Sequence, residues 1–243
     1  MADEGTFTLT VGARELHYLE GDLQPDETLG GAENISSRVS LGVYPPVQVT
    51  DHLLASARAP AQAADLLRAH DFYDVVLSPS ILPRAGERIL ECDLSVSLEA
   101  SDAGSVIAWD IAPLRYAPDT VKVTQDMTIE VPELSISGLK LTPNLRYART
   151  KEAEERPVHV IGAGLGESIA EWQIRRTDTR AVDGPYTMRL LVRASHGSHV
   201  EVKSALTARV RASRFAVTAH WTSPSGQRER TVVCEPGLPI GGW

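Results

Sequence analysis

The chain has 243 residues, a formal net charge of −8, 42% hydrophobic and 23% charged residues, and two cysteines. These are ordinary globular values, so wholesale disorder is excluded. An acidic chain is repelled by phosphate backbones and anionic lipid, so we expect no nucleic-acid partner and no stable membrane association.

The predicted strands follow one another along the whole chain. In chain order they are Phe7–Val11, Val39–Val43, Val75–Leu77, Leu90–Glu99, Val106–Ile111, Val121–Val123, Met127–Val131, Leu134–Ile136, Val158–Ile161, Ala170–Ile174, Met188–Val192, Val200–Val210, Phe215–Trp221 and Thr231–Val233. Residues 90–99 alternate apolar and polar without error, which predicts a strand with one wet face. The two strands 200–210 and 215–221 are predicted to form a hairpin. Residues 20–37 are predicted to be a mobile loop.

One helix is predicted, at about residues 60–70. Pro60 suits a first helical turn, and the residues after it give a small apolar side. The many short strands, separated by Gly, Pro, Asp and Ser, favour antiparallel packing over a helix-covered parallel sheet. We therefore predict a mostly β fold of antiparallel β-sandwich layers, in one or two domains, with one short helix.

The charge is unevenly distributed along the chain. Residues 1–150 carry 11 Lys/Arg and 22 Asp/Glu, whereas residues 151–243 carry 13 and 10. The charged segment 149–157 coincides with this change and is the best linker candidate. We predict an acidic β-rich domain with one helix over 1–150 and a sandwich-like domain over 151–243, with a single domain as the alternative.

Nothing in the sequence predicts a membrane segment or a signal peptide. No uninterrupted apolar run approaches the ~20 residues that cross a bilayer, and the first residues lack basic and apolar regions. Cys92 falls on the apolar side of a strand pattern and Cys234 near the C-terminus, which predicts core or near-core thiols. We expect a cytoplasmic protein.

The string Gly162-Ala163-Gly164-Leu165-Gly166-Glu167 follows an apolar strand, as dinucleotide-binding motifs do. The third glycine of that pattern is replaced here by Glu167, whose carboxylate opposes phosphate binding. We therefore predict a glycine-rich turn between two strands and no cofactor.

His196 and His199 are three residues apart in a predicted turn. Such a pair can contribute to a metal site only with a third or fourth ligand, and only Glu201 is near. We predict exposed turn histidines and no metal, with this pair as the candidate if a metal binds.

Other histidine and nucleophile patterns point away from catalysis. His70 and Asp71 follow the predicted helix, where they mark its end, with Phe72 and Tyr73 anchoring into the core. The chain has no G-x-S-x-G, Walker A, H-E-x-x-H or paired CxxC motif. An enzyme is not expected.

Arginines are concentrated in the second part of the chain. Arg193, Arg209 and Arg211 fall on predicted strands and are the candidate binding residues. Their expected target is the acidic first half of a neighbouring copy.

No stretch resembles a known family closely enough to name one. We expect a non-catalytic interaction or scaffold module that acts through protein–protein contacts, with a protein partner or a homo-oligomer. One alternative is a hydrolase or metal-dependent enzyme with a site at strand-end loops. A second alternative is a β-rich protein that inserts into membranes, because long alternating strands also suit that role.

Overall fold

The computed structural model describes residues 7–14, 17–25, 37–50, 61–101, 104–116, 134–136, 139–145, 159–176, 181–211 and 216–236. The strands are β1 (Phe7–Arg14), β2 (His17–Pro25), β3 (Arg38–Val43), β4 (Val47–Val49), β5 (His70–Leu82), β6 (Arg88–Ala100), β7 (Val106–Ala112), β8 (Arg115–Tyr116), β9 (Leu134–Ile136), β10 (Leu139–Leu145), β11 (His159–Ala163), β12 (Ile169–Arg175), β13 (Gly184–Pro185), β14 (Met188–Ser195), β15 (Val200–Arg211), β16 (Ala216–Thr222) and β17 (Glu229–Cys234). The helix α1 spans Ala61–Ala69.

The larger of two sheets is antiparallel and curls round on itself. Its strands follow the order β7-β14-β5-β3-β2-β16-β15-β6-β12-β11-β8, with β4 and β13 beside β5 and β17 beside β15. Because β7 and β8 belong to one stretch of chain, residues 106–116, the two ends of this path meet. Two further backbone hydrogen bonds join β7 to the β11–β12 turn, from Ala108 N to Glu167 O (2.8 Å) and from Gly166 N to Ala108 O (2.7 Å).

The large sheet is therefore a nearly closed barrel, and the predicted sandwich is wrong. The mostly β, antiparallel character is confirmed, and the residues that the structure describes contain one short helix, as predicted. Alternation along a strand specifies which face is buried but carries no information on whether the sheet curls closed, so both architectures have the same sequence pattern.

Apolar side chains from the strands fill the barrel. Leu94, Val96 and Trp172 are fully buried on neighbouring strands β6 and β12. Trp221 of β16 is also fully buried, and its indole Nε1 donates to the Val39 carbonyl at 2.9 Å. These side chains fill the barrel interior, and the polar residues that alternate with them on β6, β12 and β15 point outward.

A second, three-stranded sheet has the order β1-β10-β9. β1 pairs with β10 in parallel, with Leu9 directly opposite Leu141, and β10 pairs with β9 antiparallel. Both β9 and β10 belong to the part of the chain between β8 and β11.

Several predicted elements match observed ones. The helix, the β15–β16 hairpin and the strand at residues 90–99 are confirmed. The loop predicted for residues 20–37 is wrong at its start, because β2 continues to Pro25 and pairs with β3 and β16. The predicted strands 121–123 and 127–131 and the linker 149–157 lie outside the described residues.

Strands from both sides of residue 150 are hydrogen-bonded side by side in the barrel, for example β6 with β12 and β5 with β14. The division into domains 1–150 and 151–243, with a single domain as its alternative, stays a prediction.

Candidate functional site

One end of the barrel carries a concentration of arginines, which we call the basic rim. It forms where β6 begins, where β12 and β15 end, and in the β5–β6 turn. Its members are all exposed: Arg84, Arg88, Arg175, Arg176, Arg209 and Arg211. They face outward because Ile89, Ile174 and Val210 occupy the inward positions of the same strands.

The rim arginines stand in two neighbouring rows across β12, β6 and β15. In the first row, Glu91 lies directly opposite both Arg175 and Arg209. The Arg175 guanidinium Nε contacts the Glu91 carboxylate Oε1 at 3.2 Å, with both side chains partly exposed. Arg175 and Arg209 thus flank one carboxylate in this row.

The second row contains like charges. Arg88 lies directly opposite Arg211, and the register shift between Arg209 and Val210 leaves both arginines on the outer face. Arg176 is beside them, since its backbone N–H donates to the Leu90 carbonyl at 2.9 Å. Cationic side chains directly opposite one another destabilise a sheet, so electrostatic repulsion in this row lowers the stability of the folded barrel.

A second carboxylate lies at the rim. Glu87, in the β5–β6 turn, accepts a hydrogen bond from the hydroxyl of Ser37, which precedes β3. The six described arginines outnumber Glu87 and Glu91, so the rim is a net cationic surface on a chain whose overall charge is −8.

The chain leaves the barrel and returns to it beside this rim. β8 ends at Tyr116, which lies opposite Val160 on β11, and His159 at the start of β11 lies opposite Arg175. The 42 residues between these two points, 117–158, are called the excursion below. Its entry and exit are on adjacent antiparallel strands, so the two arms start side by side.

The structure brings together only two of the three predicted binding arginines. Arg209 and Arg211 are in the basic rim, but Arg193 is on β14, separated from β15 along the sheet path by β5, β3, β2 and β16. Its guanidinium lies 4.7 Å from the ring centre of Trp109, a cation–π contact. The Trp109 ring also meets Phe72 edge-on, with the ring centres 5.8 Å apart.

Two features made the rim hard to find in the sequence. Arg84 and Arg88 are more than eighty residues before Arg175 and Arg176. Only the pairing of β6 with both β12 and β15 places them together. The sequence does show an arginine at the end of each of these strands. Only the register of the strands shows that these arginines lie together.

The predicted histidine turn connects β14 to β15. His196 is largely exposed, and its ring Nδ1 is 3.1 Å from Asp71 Oδ1, while the Gly197 backbone N–H donates to Asp71 Oδ2 at 2.6 Å. His199 is exposed. Within the described ranges no group of three or more His, Cys, Asp or Glu side chains is arranged to hold a metal ion. Asp71 thus accepts the hydrogen bond that holds the turn between β14 and β15.

The predicted glycine-rich turn is confirmed between β11 and β12. Gly164 and Gly166 have φ angles of +95° and +84°, and Glu167 N donates to Gly164 O at 3.0 Å. The predicted burial of Cys92 and Cys234 is confirmed, and burial raises the pKa of the Cys234 thiol to about 12. Along the described chain, no helix is both long and apolar enough to cross a membrane.

No family model matches this chain, and no curated protein matches it. Among solved structures, the chain is similar to the Clostridium perfringens NetB toxin in the membrane-inserted form, with 8% identity, a TM-score of 0.32, and coverage of 91% of this chain and 97% of that one. It is also similar to a structure described as a pore forming protein, with 10% identity, a TM-score of 0.28, and 90% of each chain covered.

These matches correct four expectations. The non-catalytic scaffold function, the protein-only partnership without stable membrane association, the cytoplasmic location and the soluble-scaffold description are contradicted by matches to pore-forming proteins. Likeness at these TM-scores supplies no argument for a particular activity, so function is argued from the chain's own geometry.

Proposed function

We propose that this chain is a β-rich membrane-inserting protein that acts as an assembly of several copies. In this proposal the barrel stays folded and the excursion is the part that enters the bilayer. This is the second alternative raised by the long alternating strands of the sequence.

The observation that carries the proposal is the position of the excursion's two ends. Tyr116 and His159 belong to β8 and β11, which are paired antiparallel, so both arms can continue that ladder outward as one hairpin. The core cluster of the described residues includes Leu94, Trp172 and Trp221 on barrel strands β6, β12 and β16. In the described form β9, within the excursion, contacts β7 and β14, so extension of the excursion requires these contacts to break.

The sequence of each arm has the pattern that a membrane-spanning strand needs. Over residues 121–131 the odd positions are apolar apart from Gln125, and the even positions are polar. Over residues 139–147 the odd positions are Leu, Leu, Pro, Leu and Tyr, and the even positions Lys, Thr, Asn and Arg. A tilted strand of about 9 to 11 alternating residues spans a bilayer, with one row of side chains toward lipid and one toward water.

Assembly follows from the number of strands. One excursion supplies two strands, and a two-stranded hairpin in hydrocarbon would leave its edge backbone groups without hydrogen bonds. Closed barrels in membranes begin at about eight strands, so at least about four copies are needed to close one.

The described form holds the second arm in a different pairing. β10 lies within the excursion and pairs in parallel with β1, with Leu9 opposite Leu141. Insertion therefore requires β10 to leave β1, and a covalent link between these strands should prevent it.

The test is dye release from lipid vesicles by the double variant Leu9→Cys/Leu141→Cys. Directly opposite residues in a sheet are within the Cα separation that a disulfide requires. We expect the unlinked chain to release dye, the oxidised variant to be inactive, and reduction to restore release. The native Cys92 and Cys234 are buried and do not compete.

Each single cysteine variant is the matched control, and both should remain active under oxidising conditions. A second variant, Val123→Asp/Ile129→Asp, places carboxylates in the proposed lipid-facing row and should abolish release, with melting curves to check that the variant folds. Absence of dye release by the unmodified chain over a range of lipid compositions, or full release by the oxidised double variant, would overturn the proposal.

A further inference from the structure

We infer that the basic rim is a docking surface for the phosphate groups of anionic membrane lipids. The inference rests on the proposed function, because it assigns the surface that first meets the bilayer. It also reverses, for this end of the barrel, the expectation that an acidic chain avoids anionic lipid.

The chemistry of the rim suits phosphate. Guanidinium groups present donors in a planar fork that matches phosphate oxygens. In the row of Arg88 and Arg211, like charges face each other across two strands, with Arg176 beside them. A bound phosphate between them would relieve this repulsion, and the Glu91 carboxylate in the neighbouring row is paired with Arg175.

The location of the rim selects a lipid surface over other anionic partners. Both ends of the excursion are beside it, since His159 lies opposite Arg175, so a docked rim would bring the inserting arms to the bilayer. Leu82, at the end of β5 and two residues before Arg84, is 51% exposed and can enter the interfacial region.

Vesicle flotation of the full-length chain tests this assignment. The probes are vesicles of phosphatidylcholine alone and vesicles of phosphatidylcholine mixed with phosphatidylserine, each at low and high salt. We expect binding to the mixed vesicles that weakens as salt rises, because charge attraction to a lipid surface is screened.

The test variant is Arg88→Glu/Arg211→Glu, and its matched control is Arg68→Glu/Arg228→Glu. The control makes the same change in net charge at two exposed arginines, on α1 and in the turn before β17. We expect the rim variant to bind mixed vesicles at least roughly tenfold more weakly than the native chain, and the control to differ little. Arg88→Gln/Arg211→Gln should be intermediate, and melting curves should show that all variants fold.

Three outcomes would overturn the inference. One is equal binding to neutral and anionic vesicles, and another is a rim variant that binds as well as the control. The third is evidence that the rim binds a different anionic partner. The native chain would then self-associate in a salt-dependent way in sedimentation, or bind nucleic acid, and the rim variant would lose this binding while it still binds vesicles.

Failure of the inference and failure of the proposed function give different results. If dye release occurs and the rim variant releases as much as the control, the rim has no docking role and the insertion proposal stands. If the native chain floats with anionic vesicles through the rim but never releases dye, docking stands and insertion fails.

Discussion

The guanidinium of Arg189 on β14 donates two hydrogen bonds to the carboxylate of Asp74 on β5, at 2.7 and 3.0 Å, and both side chains are fully buried. The pair connects β5 to β14, and β14 is next to β7, the strand on which the barrel closes. Removing one partner from such a pair leaves an uncompensated buried charge.

Asp74→Ala should therefore destabilise the chain by about 3 to 5 kcal/mol, measured by urea unfolding. Asp65→Ala is the control, because Asp65 forms an exposed ion pair with Arg68 on α1 and such pairs contribute at most about 1 kcal/mol. The apolar double variant Asp74→Leu/Arg189→Met should recover most of the loss. Equal unfolding midpoints for the two alanine variants would contradict a structural role for the buried pair.

Two glycines of the β11–β12 turn offer a matched pair of substitutions. Both have positive φ angles, but a Cβ on Gly164 would lie 2.0 Å from the Ile169 carbonyl oxygen, whereas one on Gly166 would meet nothing within 4 Å. Gly166→Ala should cost about 1 to 2 kcal/mol from backbone strain alone. Gly164→Ala should cost clearly more, because backbone must move, and equal thermal shifts for the two would contradict this turn geometry.

Strand positions were predictable from the sequence because alternation is local, and β6 and β15 appear almost where their patterns put them. β5 was not, since only residues 75–77 were predicted of a strand that extends from His70 to Leu82. It is buried on both faces, so apolar Phe72 and Val76 lie on the same face as polar Asp74, Ser78 and Ser80 and remove the alternation.

The candidate site was predicted only in part for the same reason. Arg209 and Arg211 share a strand and were identified together, but Arg88 joins them only through the β6–β15 register. Barrel closure depends equally on distant pairings, since β8 meets β11 across the whole excursion. Local sequence patterns contain neither piece of information.

Alternation on β6 makes a direct prediction at two neighbouring residues. Leu94 is fully buried between Trp172 of β12 and Leu206 of β15, whereas the Ser95 side chain is outward and only partly covered. Leu94→Asp places an unpaired carboxylate in the core and should cost several kcal/mol, enough to prevent folding at 37 °C in a marginally stable chain. Ser95→Asn should change stability by less than about 0.5 kcal/mol. Circular dichroism melts check both, and similar shifts would show that the inward and outward faces are misassigned.

The outward carboxyl of Asp93 has a pKa raised above its ordinary value. Burial is the main cause, and the charges of Glu91 and Glu171 act in the same direction, while a hydrogen bond from Gln173 and the charge of Arg175 oppose it. The pKa of this carboxyl is higher in the folded chain than in the unfolded chain. At a pH between these two pKa values, the folded state therefore binds more protons than the unfolded state. Its contribution to stability therefore falls as pH rises through that window and remains unfavourable above it.

Asp93→Asn removes this unfavourable ionisation and can keep the hydrogen bond to Gln173. We expect the variant to melt at a higher temperature than the native chain at pH 7. The difference should shrink as pH falls through the window between the folded and unfolded pKa values, and it should be lost below about 4, where the carboxyl of Asp93 is protonated in both states. Thermal melts at neutral and acidic pH measure it, with Asp65→Asn on α1 as the exposed control. A variant that melts below the native chain at pH 7 would show that attraction to Arg175 outweighs burial, and that the Asp93 charge stabilises this face of the barrel.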